Sequence, residues 1–264
     1  MISVAIATYN EEKNIINCLD SLRDWVDEIV VVDGESTDNT VELINKFSKA
    51  KVISTPNKTM FHLNKNKAIE ACSSEWILFL DADETISPEL KVEIINIINS
   101  HPKEDGFYIP RKNFFLSRFL TKGGQYPDAR IRLFRKGKGT WPCVSVHEQI
   151  EVKGKLGTLT NDLIHIADPS FDRYLMRSNR YTSLEAENIL KNEKDNRFTF
   201  IKYIFIKPVL TFLLIYIRHR GYKDGFPGFV FALYSGIHWT TSYIKFWEKK
   251  HENSHQHPPL INRP

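Results

Sequence analysis

The hydrophobic pattern of the first hundred residues alternates between short, continuous apolar runs and segments with helical spacing. The apolar runs are rich in β-branched residues and too short for buried helices, which predicts strands at residues 2–8, 28–33, 51–54 and 76–80. Between them, apolar residues recur three and four positions apart, which predicts helices at residues 12–22, 38–47 and 64–71. Ser87 followed by Pro88 is typical of the start of a further helix. Strands that alternate with helices predict an α/β fold, with a mixed, mostly parallel sheet that is covered by helices on both faces.

The pattern changes at about residue 106 and again after residue 170. Short apolar stretches between Gly and Pro residues predict an α+β region up to about residue 165, which completes the first domain. Beyond it the spacing becomes helical, with one helix predicted at residues 174–191. We therefore expect a first domain at residues 1–170, a helical region that is both basic and apolar at residues 171–250, and a disordered tail at residues 251–264.

Two strongly apolar segments lie in the helical region. Residues 203–217 are interrupted by Lys207-Pro208, and the nine residues that follow the proline are too few to span a bilayer. Residues 225–244 contain no Asp, Glu, Lys or Arg, but they contain Pro227 and His238. Both segments are expected to be helices that lie in the membrane interface or pack on the domain. A transmembrane hairpin is the alternative.

Charge is distributed unevenly along the 264 residues. Residues 197–264 contain ten Lys/Arg and three Asp/Glu, a net charge of +7, so the whole-chain value of +4 leaves −3 for residues 1–196. Basic residues that flank apolar segments favour peripheral contact with an anionic membrane surface, although a basic solvated face would look the same. No nucleic-acid recognition motif accompanies them, so a nucleic-acid partner is not expected.

Cysteine usage and the first residues bear on the compartment. Three widely spaced cysteines without a C-x-x-C pair make a disulfide framework or a structural zinc site improbable, which suits a reducing compartment. The opening MISVAIATYN lacks a basic n-region and reads as a buried strand instead of a secretory signal. We expect a cytoplasmic protein on the inner face of a bacterial cell membrane.

Polar side chains follow three of the predicted strands, at the sheet edge where α/β proteins bind ligands. Asp81 and Asp83 are two carboxylates one residue apart, which suits a hard divalent cation, Mn²⁺ or Mg²⁺, whose shell a diphosphate would complete. A turn cap without a metal is the alternative, and Glu84 is a neighbour that could support either. Asp33 follows the second strand and is placed to accept hydrogen bonds from a nucleoside.

The residues after the first strand, and two histidines, are more ambiguous. Thr8, Asn10 and Glu11 are placed to touch a base, but Glu11 is equally suited to the first turn of a helix. His165 is expected to be a core or rim histidine, with contact to a metal or diphosphate as the alternative. His147 could orient a neighbouring carboxylate, contact phosphate or only pack.

The order and spacing of IATYNEEKNI, DEIVVVDGESTDNT, NKNKA and WILFLDADE resemble family 2 glycosyltransferases of the GT-A fold. Two later stretches, GGQYPDARIRLFRKGKGTWPCVSVHEQIEVKG and GYKDGFPGFVFALYSGIHWTTSYIKFWE, are similar to the subgroup of lipopolysaccharide core β-glucosyltransferases. The resemblance covers most of the chain and is loosest at residues 170–220.

This resemblance implies a role for each matching residue. The nucleoside of the donor would contact Thr8, Asn10, Glu11 and Asp33. The diphosphate would lie near Lys65 and would bind Mn²⁺ or Mg²⁺ through Asp81 and Asp83. Arg132 and Arg135 would form a basic element beside the donor or acceptor, and Glu148 would be the catalytic base.

The implied reaction is the inverting transfer of a single sugar, a hexose with glucose favoured, from a UDP-sugar to lipopolysaccharide core or another cell-surface glycan. The Gln-x-x-Arg-Trp signature of processive synthases is absent, which argues for one transfer and not polymer synthesis. Glu35, in place of a serine-glycine-serine turn, leaves the donor sugar open. The alternatives are a non-catalytic membrane scaffold that binds nucleotide sugars, and a nucleotidyltransferase, whose glycine-rich basic loop is missing after the first strand.

Overall fold

The computed structural model describes residues 1–57, 60–144 and 148–252 of the chain. Two compact units are present: one contains Met1–Asn113 and Tyr126–Ala167, the other Phe114–Gln125 and Asp168–Pro264. The division at Ala167 lies close to the boundary that the sequence predicts. Residues 114–125, however, belong to the second unit, although the sequence pattern assigns them to the first. Most of the predicted tail, residues 253–264, lies outside the described residues.

The described strands and helices are as follows. The strands are β1 (Ile2–Thr8), β2 (Glu28–Asp33), β3 (Ala50–Ser54), β4 (Trp76–Asp81), β5 (Glu84–Ile86), β6 (Gly106–Ile109), β7 (Arg111–Phe115), β8 (Arg118–Phe119), β9 (Arg130–Arg135), β10 (Gly139–Thr140), β11 (Glu151–Val152), β12 (Leu156–Thr158) and β13 (Leu163–Asp168). The helices are α1 (Ile15–Asp20), α2 (Thr40–Ile44), α3 (His62–Ala71), α4 (Pro88–Asn99), α5 (Phe171–Asn192), α6 (Arg197–Arg218) and α7 (Gly225–Glu252).

A seven-stranded sheet forms the centre of the first unit, in the order β12-β6-β9-β4-β1-β2-β3. Strands β4, β1, β2 and β3 are parallel neighbours, and β9 is antiparallel to both β4 and β6. Thr8 lies opposite Asp33, and Ala7 lies opposite Asp81, so three strands end level with one another. The prediction of a mixed, mostly parallel α/β sheet is therefore confirmed.

Both faces of this sheet are buried, because alternate strand residues point to opposite sides. Val4 and Ile6 pack in a cluster with apolar residues of α1, α2 and α4. Ala5 points the other way, into a cluster with α3 and Trp141. The continuous apolar strands are thus explained by helices on both faces.

The second unit is helical, and its apolar segment differs from the prediction. The expectation that Pro208 interrupts residues 203–217 is wrong, since α6 runs without a break through the proline. Residues 202–206, just before it, form a wide π-type turn, and such turns relax the hydrogen-bond ladder where proline has no N–H to donate. By length and composition α6 could cross a membrane, and it is the one helix in the described ranges that meets this criterion.

Two clusters of buried side chains hold the second unit together. One joins α5, α6 and α7 through Ala186, Tyr203 and Phe246. The other joins Phe115 and Leu120, from the early segment, to Tyr174 of α5 and Val230 of α7. The second cluster explains why residues 114–125 belong to this unit.

Candidate functional site

The level ends of β1, β2 and β4 bring the predicted nucleoside and metal residues to one edge of the sheet. Thr8 and Asp33 are both buried there. Thr8 Oγ1 is also a buried atom without a hydrogen-bond partner in the described part of the chain, as is Arg132 Nε. A buried polar group without a partner costs about 1–3 kcal/mol, so two of them at one edge are explained best by a polar ligand.

The loops after β1 and β2 are linked to each other by their polar side chains. Asn10, with φ of 55°, donates its N–H to Ser36 Oγ at 2.8 Å. Its Oδ1 accepts from the Thr37 N–H at 2.8 Å. Both carboxylate oxygens of Asp33 accept hydrogen bonds from Ser36, at 2.8 Å from N–H and 2.6 Å from Oγ. These bonds shape the two turns around the strand ends.

Glu11 begins the turn into α1. Its carboxylate accepts from Asn14 Nδ2 at 2.6 Å, and its N–H donates to Thr40 Oγ1 at 2.9 Å. The structure therefore gives Glu11 local partners that suit the helix-start interpretation, while it keeps the residue at the same edge as Asn10.

Asp81 is held between two cations. Its Oδ1 accepts from Lys65 Nζ at 2.7 Å, and its Oδ2 accepts from Arg132 at 2.6 Å. Burial raises the pKa of the Asp81 carboxyl, but Lys65 and Arg132 outweigh burial and hold the pKa well below its ordinary value. Asp81 is therefore a carboxylate whose two oxygens are already paired.

Lys65 reaches Asp81 through an aromatic enclosure. Its Nζ lies 4.6 Å from the centroid of the Trp141 ring and about equally far from Phe61 and Phe79, at 5.2 and 5.1 Å. Lysine in such surroundings gains from the ring quadrupoles as well as from its ion pair. Lys65 comes from α3, so this helix supplies the positive charge that β4 faces.

Glu84 continues the network behind Asp81 and is fully buried. Its Oε1 accepts from Arg132 at 2.6 Å and from Arg111 at 3.0 Å, and its Oε2 accepts from the Asp81 N–H at 3.0 Å. Burial lowers the pKa of the Arg132 guanidinium, but Glu84 and Asp81 more than offset this and raise it. Arg132 thus stays charged, and Glu84 holds both this guanidinium and the backbone N–H at the end of β4.

Asp83 faces His165, because β13 pairs with β5 and sets His165 opposite Glu84. His165 Nε2 lies 3.5 Å from Asp83 Oδ2. His165 Nδ1 lies 2.7 Å from Asn113 Oδ1, while Asn113 Nδ2 donates to Asp128 Oδ2 at 3.3 Å. The amide orientation assigned from these bonds makes Nδ1 a donor to Asn113, so Nε2 is the ring nitrogen that faces the Asp83 carboxylate.

Glu148 is connected to the Asp81 cluster through His62, Trp141 and Lys65. Its carboxylate accepts from the N–H groups of Cys143 and Val144 at 2.7 and 2.5 Å, and lies 3.5 Å from His62 Nδ1. His62 stacks on Trp141 with ring centroids 4.4 Å apart, and Trp141 in turn contacts Lys65. His147, which could orient this carboxylate, lies outside the described residues.

Arg135 is a predicted site residue that the structure does not bring to this edge. It pairs in register with Trp76, at the beginning of β4, whereas Asp81 ends the same strand. Its guanidinium binds Glu75 and the Pro102 carbonyl oxygen and lies 4.5 Å from the Trp76 ring centroid. A role beside the donor does not fit this placement.

Arg111 and Asn113 are residues of this network that sequence reasoning missed, and both donate to Asp128. Arg111 donates to Asp128 Oδ2 from Nε at 3.0 Å and from Nη2 at 2.5 Å. The available signal was alternation, since Arg111 and Asn113 lie two residues apart on one strand and so share a face. Alternation along the strand does not reveal what Arg111 and Asn113 bind, because their partners Glu84, Asp128 and His165 lie in other segments of the chain.

The sequence comparisons point in one direction. Residues 3–149 match the family described as "Glycosyl transferase family 2". The lipopolysaccharide core biosynthesis glycosyltransferase LpsC of Rhizobium meliloti (strain 1021) is 28% identical over 256 residues, which cover 94% of this chain and 92% of that protein. An uncharacterized glycosyltransferase of Rickettsia typhi (strain ATCC VR-144 / Wilmington) is 30% identical over 240 residues, which cover 87% and 80%.

Solved structures share the fold at low sequence identity. The mannosyltransferase PcManGT from Pyrobaculum calidifontis, in complex with GDP-Man and Mn²⁺, matches with a TM-score of 0.55 and 12% identity over 94% of this chain and 87% of that one. TarS 1–349 of S. aureus, in complex with UDP-GlcNAc, matches with a TM-score of 0.51 and 18% identity over 99% and 94%. At these identities the likeness concerns the fold.

Proposed function

The chain belongs to glycosyltransferase family 2, and from this premise we propose that it transfers a single hexose, with glucose favoured, from a UDP-sugar to lipopolysaccharide core or another cell-surface glycan. The observation that carries this proposal is the meeting of Asp83, His165 and the Lys65–Asp81–Arg132 cluster at one sheet edge. The similarity to LpsC along nearly the whole chain supports the lipopolysaccharide acceptor. The UDP-GlcNAc and GDP-Man complexes of proteins with this fold support a nucleotide-sugar donor.

A divalent ion fits between Asp83 and His165. Asp83 Oδ2 and His165 Nε2 lie 3.5 Å apart, and at metal–ligand distances of about 2.0–2.2 Å both atoms can reach one ion. The bond from His165 Nδ1 to Asn113 is the outer support that metal-binding histidines usually have. One oxygen and one nitrogen ligand favour Mn²⁺ over Mg²⁺, which prefers oxygen alone.

This assignment changes the expected pair of metal ligands. Asp81 would have to give up Lys65 or Arg132 to bind an ion directly, so we assign it to holding these two cations instead. Among the described residues no group of three or more Asp, Glu, His or Cys side chains is suited to a metal, which leaves the remaining ligands to the donor diphosphate.

The departing diphosphate gains negative charge during the transfer, so positive charge is needed beside it. When bound, a divalent ion stabilises the negative charge that develops on the departing diphosphate. Lys65 and Arg132 are held in place by Asp81 and add positive potential at the same edge, already oriented before the substrate binds. Arg132 Nε has no partner in the described part of the chain and could donate to a phosphate oxygen.

The nucleoside is assigned to the ends of β1 and β2. Thr8 Oγ1 is buried without a partner within the described chain, and Asp33 ends the neighbouring strand. Asn10 and Glu11 complete this edge through the loop that Ser36 and Thr40 hold by hydrogen bonds. A uracil or ribose hydroxyl would supply the hydrogen bond that Thr8 lacks.

Glu148 is the proposed base for the acceptor hydroxyl. An acceptor hydroxyl becomes a competent nucleophile when a carboxylate takes its proton as the new bond forms. Two backbone N–H groups hold the Glu148 carboxylate next to the His62–Trp141 stack, and in an enzyme without substrates such groups are often not yet in their reactive geometry.

The basic and apolar second unit is assigned to peripheral contact with an anionic membrane on its cytoplasmic side, where a glycolipid acceptor would lie. Six Lys/Arg and no Asp/Glu lie in residues 197–223. Fractionation tests this part: alkaline carbonate should release the protein from membranes, whereas it should not release a chain that spans them.

The decisive experiment follows UDP release from a panel of UDP-sugars with Mn²⁺ or Mg²⁺. Wild type is compared with chelator-treated protein and with Asp83→Asn, His165→Ala and Glu148→Gln. We expect metal-dependent release from one sugar, lost in Asp83→Asn and strongly reduced in His165→Ala. Glu148→Gln should retain donor binding and lose only the turnover that depends on an added acceptor.

Other outcomes have clear consequences. Release that survives in Asp83→Asn would remove the metal assignment. A chain that binds no nucleotide sugar with any metal would contradict the proposed reaction and favour a non-catalytic role.

A further inference from the structure

Helix α6 presents a continuous apolar face to solvent. Its outer face, defined by Ile201, Phe205, Val209, Leu210, Leu213 and Ile217, consists of residues that are each 37–59% exposed. Most of these residues recur every four positions, so they form one stripe along five turns of helix. Soluble proteins rarely leave a contiguous apolar surface of this extent uncovered.

The opposite face of α6 packs on α7 at very short range. Trp239 Nε1 donates to Thr211 Oγ1 at 2.9 Å, and Lys207 Nζ lies 3.8 Å from the Trp239 ring centroid. A side chain at Gly236 would come within 2.7 Å of the Pro208 carbonyl oxygen. Residues 229–243 of α7 thus lie directly against α6.

Another side of α7 packs on α5, which is strongly charged. Seven Asp, Glu, Lys and Arg residues lie in residues 172–191. Tyr174 contacts Tyr234, Lys245 donates to Asn179 Oδ1 at 2.6 Å, and Lys249 pairs with Glu187 at 2.8 Å. The three helices therefore lie in the order α5, α7, α6. The outer helix on one side, α5, is charged, and the outer helix on the other side, α6, exposes apolar side chains.

This layering excludes a spanning orientation for the folded unit. If α6 crossed a bilayer, the adjoining α7 segment and the charged α5 beside it would enter the hydrocarbon as well. Charged side chains at that depth cost several kcal/mol each, whereas α6 lying flat puts only its outer face into the lipid. Length alone, by which α6 could cross a membrane, does not decide its orientation.

Charge identifies lipid as the occupant of this face. Arg197 lies at one end of α6 together with Lys202, whose Nζ pairs with Glu193 at 2.6 Å, and Arg218, Arg220 and Lys223 lie at or just beyond the other end. Two copies of α6 face to face would bring positive ends together in either direction, which disfavours self-association through this face. Anionic headgroups complement both ends at once, and the long basic side chains can reach them while the apolar face is immersed.

We propose that α6 is an in-plane membrane anchor, which lies parallel to an anionic bilayer with its outer face in the acyl region and both basic ends at headgroup level. The inference rests on the membrane contact of the proposed function and defines its orientation. It assigns α7 to the supporting layer and α5 to the aqueous side of the second unit.

Vesicle flotation with the full chain tests the surface. The variant Leu210→Glu/Leu213→Glu should lower binding to vesicles of phosphatidylcholine and phosphatidylglycerol at least tenfold. The matched control is Leu175→Glu/Leu190→Glu, which adds the same charges at exposed leucines of α5 and should leave binding unchanged. Vesicles of phosphatidylcholine alone should bind the wild type more weakly.

Depth measurements test the orientation. In a chain with Cys143→Ser, single cysteines at Phe198, Val209 and Ile217 carry a fluorophore, and brominated lipids quench it at a shallow or a deep position. In-plane binding predicts similar, shallow quenching at all three sites, since Val209 is central and the others lie near the ends of α6.

Each alternative has its own signature. Deep quenching at Val209 with shallow ends means a spanning helix and overturns the in-plane proposal while membrane contact stands. A dimer that the glutamate pair dissociates, without quenching by lipid, identifies a second copy as the occupant and also overturns it. Absence of vesicle binding removes the membrane contact altogether, whereas UDP release tests the transferase reaction separately.

Discussion

Arg132 balances the charges behind the strand ends, because its guanidinium bridges two carboxylates that lie largely out of solvent. Replacement by methionine would leave Glu84 with Arg111 and Asp81 with Lys65, and both carboxylates would be undercompensated. Breaking a buried pair costs about 3–5 kcal/mol, so we expect Arg132→Met to lower the free energy of unfolding by about 3 kcal/mol in urea denaturation at neutral pH.

Arg135→Met is the matched control, because it removes an arginine from the same strand. Its partner Glu75 is 61% exposed, and such surface pairs contribute about 0–1 kcal/mol. Equal losses in the two variants would contradict the distinction between a buried and a surface ion pair.

Asp128 makes the stability depend on acid pH. Burial raises the pKa of its carboxyl, but Arg111, Arg130 and the bond from Asn113 lower it below the ordinary value. A carboxyl whose pKa is lower in the folded state stabilises the fold fully above its unfolded pKa, about 3.9, and loses this contribution as the pH falls further. The difference in unfolding free energy between wild type and Asp128→Asn should therefore be constant from neutral pH to about pH 4 and shrink below it. A difference that persists undiminished at pH 2.5 would argue against this role.

Asn113 is expected to act on the metal through His165. Without its Oδ1 acceptor, the imidazole loses the partner that fixes the Nδ1 proton and the ring orientation. Outer partners of metal ligands contribute about 10–100-fold to affinity, so Asn113→Ala should weaken Mn²⁺ binding in the presence of UDP by about tenfold. Titration calorimetry can compare it with Asp83→Ala, which should abolish the same binding. An unchanged affinity in Asn113→Ala would mean that His165 does not bind the ion.

At the scale of the elements, the contact of α6 with α7 depends on a glycine. Alanine at Gly236 would gain about 1 kcal/mol of helix propensity. However, its methyl group would lie 2.7 Å from the Pro208 carbonyl oxygen, and this clash can be relieved only if the backbone of α6 or α7 moves. We expect Gly236→Ala to destabilise the protein by about 1–3 kcal/mol in denaturant unfolding. Ser235→Ala, one position earlier, is the control and should be neutral or slightly stabilising. A stabilised Gly236→Ala would show that the helices can separate without loss.

The boundaries of the elements were predictable where one local rule decides them. The buried strands β1 and β2 have the predicted limits, because continuous apolar runs end at polar turns. Ser87 caps α4 as predicted, accepting from the Leu90 N–H at 3.2 Å. Helix α1 begins later than predicted, at Ile15, because Glu11 and Asn14 form a turn before the regular helix. The course of α6 through Pro208 was not predictable from a rule that treats proline as a helix breaker.

On the scale of the whole molecule, the two units are interleaved in sequence. Phe115 and Leu120 are buried against Tyr174 and Val230 of the second unit. A chain truncated after Ala167 would expose these apolar side chains, so we expect it to bind a hydrophobic dye strongly and to aggregate. Substitution of both residues by serine in the truncated chain should reduce dye binding. A soluble truncated chain that binds no dye would show that residues 114–125 do not depend on the second unit.

The mixed, mostly parallel sheet follows from the sequence pattern, and this prediction is confirmed. The candidate site was predictable only where its residues follow strands, as Thr8, Asp33, Asp81 and Asp83 do. The pairing of Asp83 with His165 and of Glu84 with Arg111 joins residues that are distant in the chain, and no local pattern specifies such partners. Arg135 was assigned with Arg132 because both belong to RLFR, but three positions along a strand separate them by about 10 Å and put their side chains on opposite faces of the sheet. The roles of the site residues stay predictions.

The antiparallel strand β9 has a consequence for the order in which the protein is built at the ribosome. Strands β1 to β4 can pair as soon as Asp81 has emerged, but β9, which fills the place between β4 and β6, is synthesised about fifty residues later. Until then Asp81 and Glu84 lack Arg132, and their like charges oppose compaction of the strand ends. We therefore expect the sheet edge at Asp81 to acquire its final electrostatics only when the second half of the sheet has been translated.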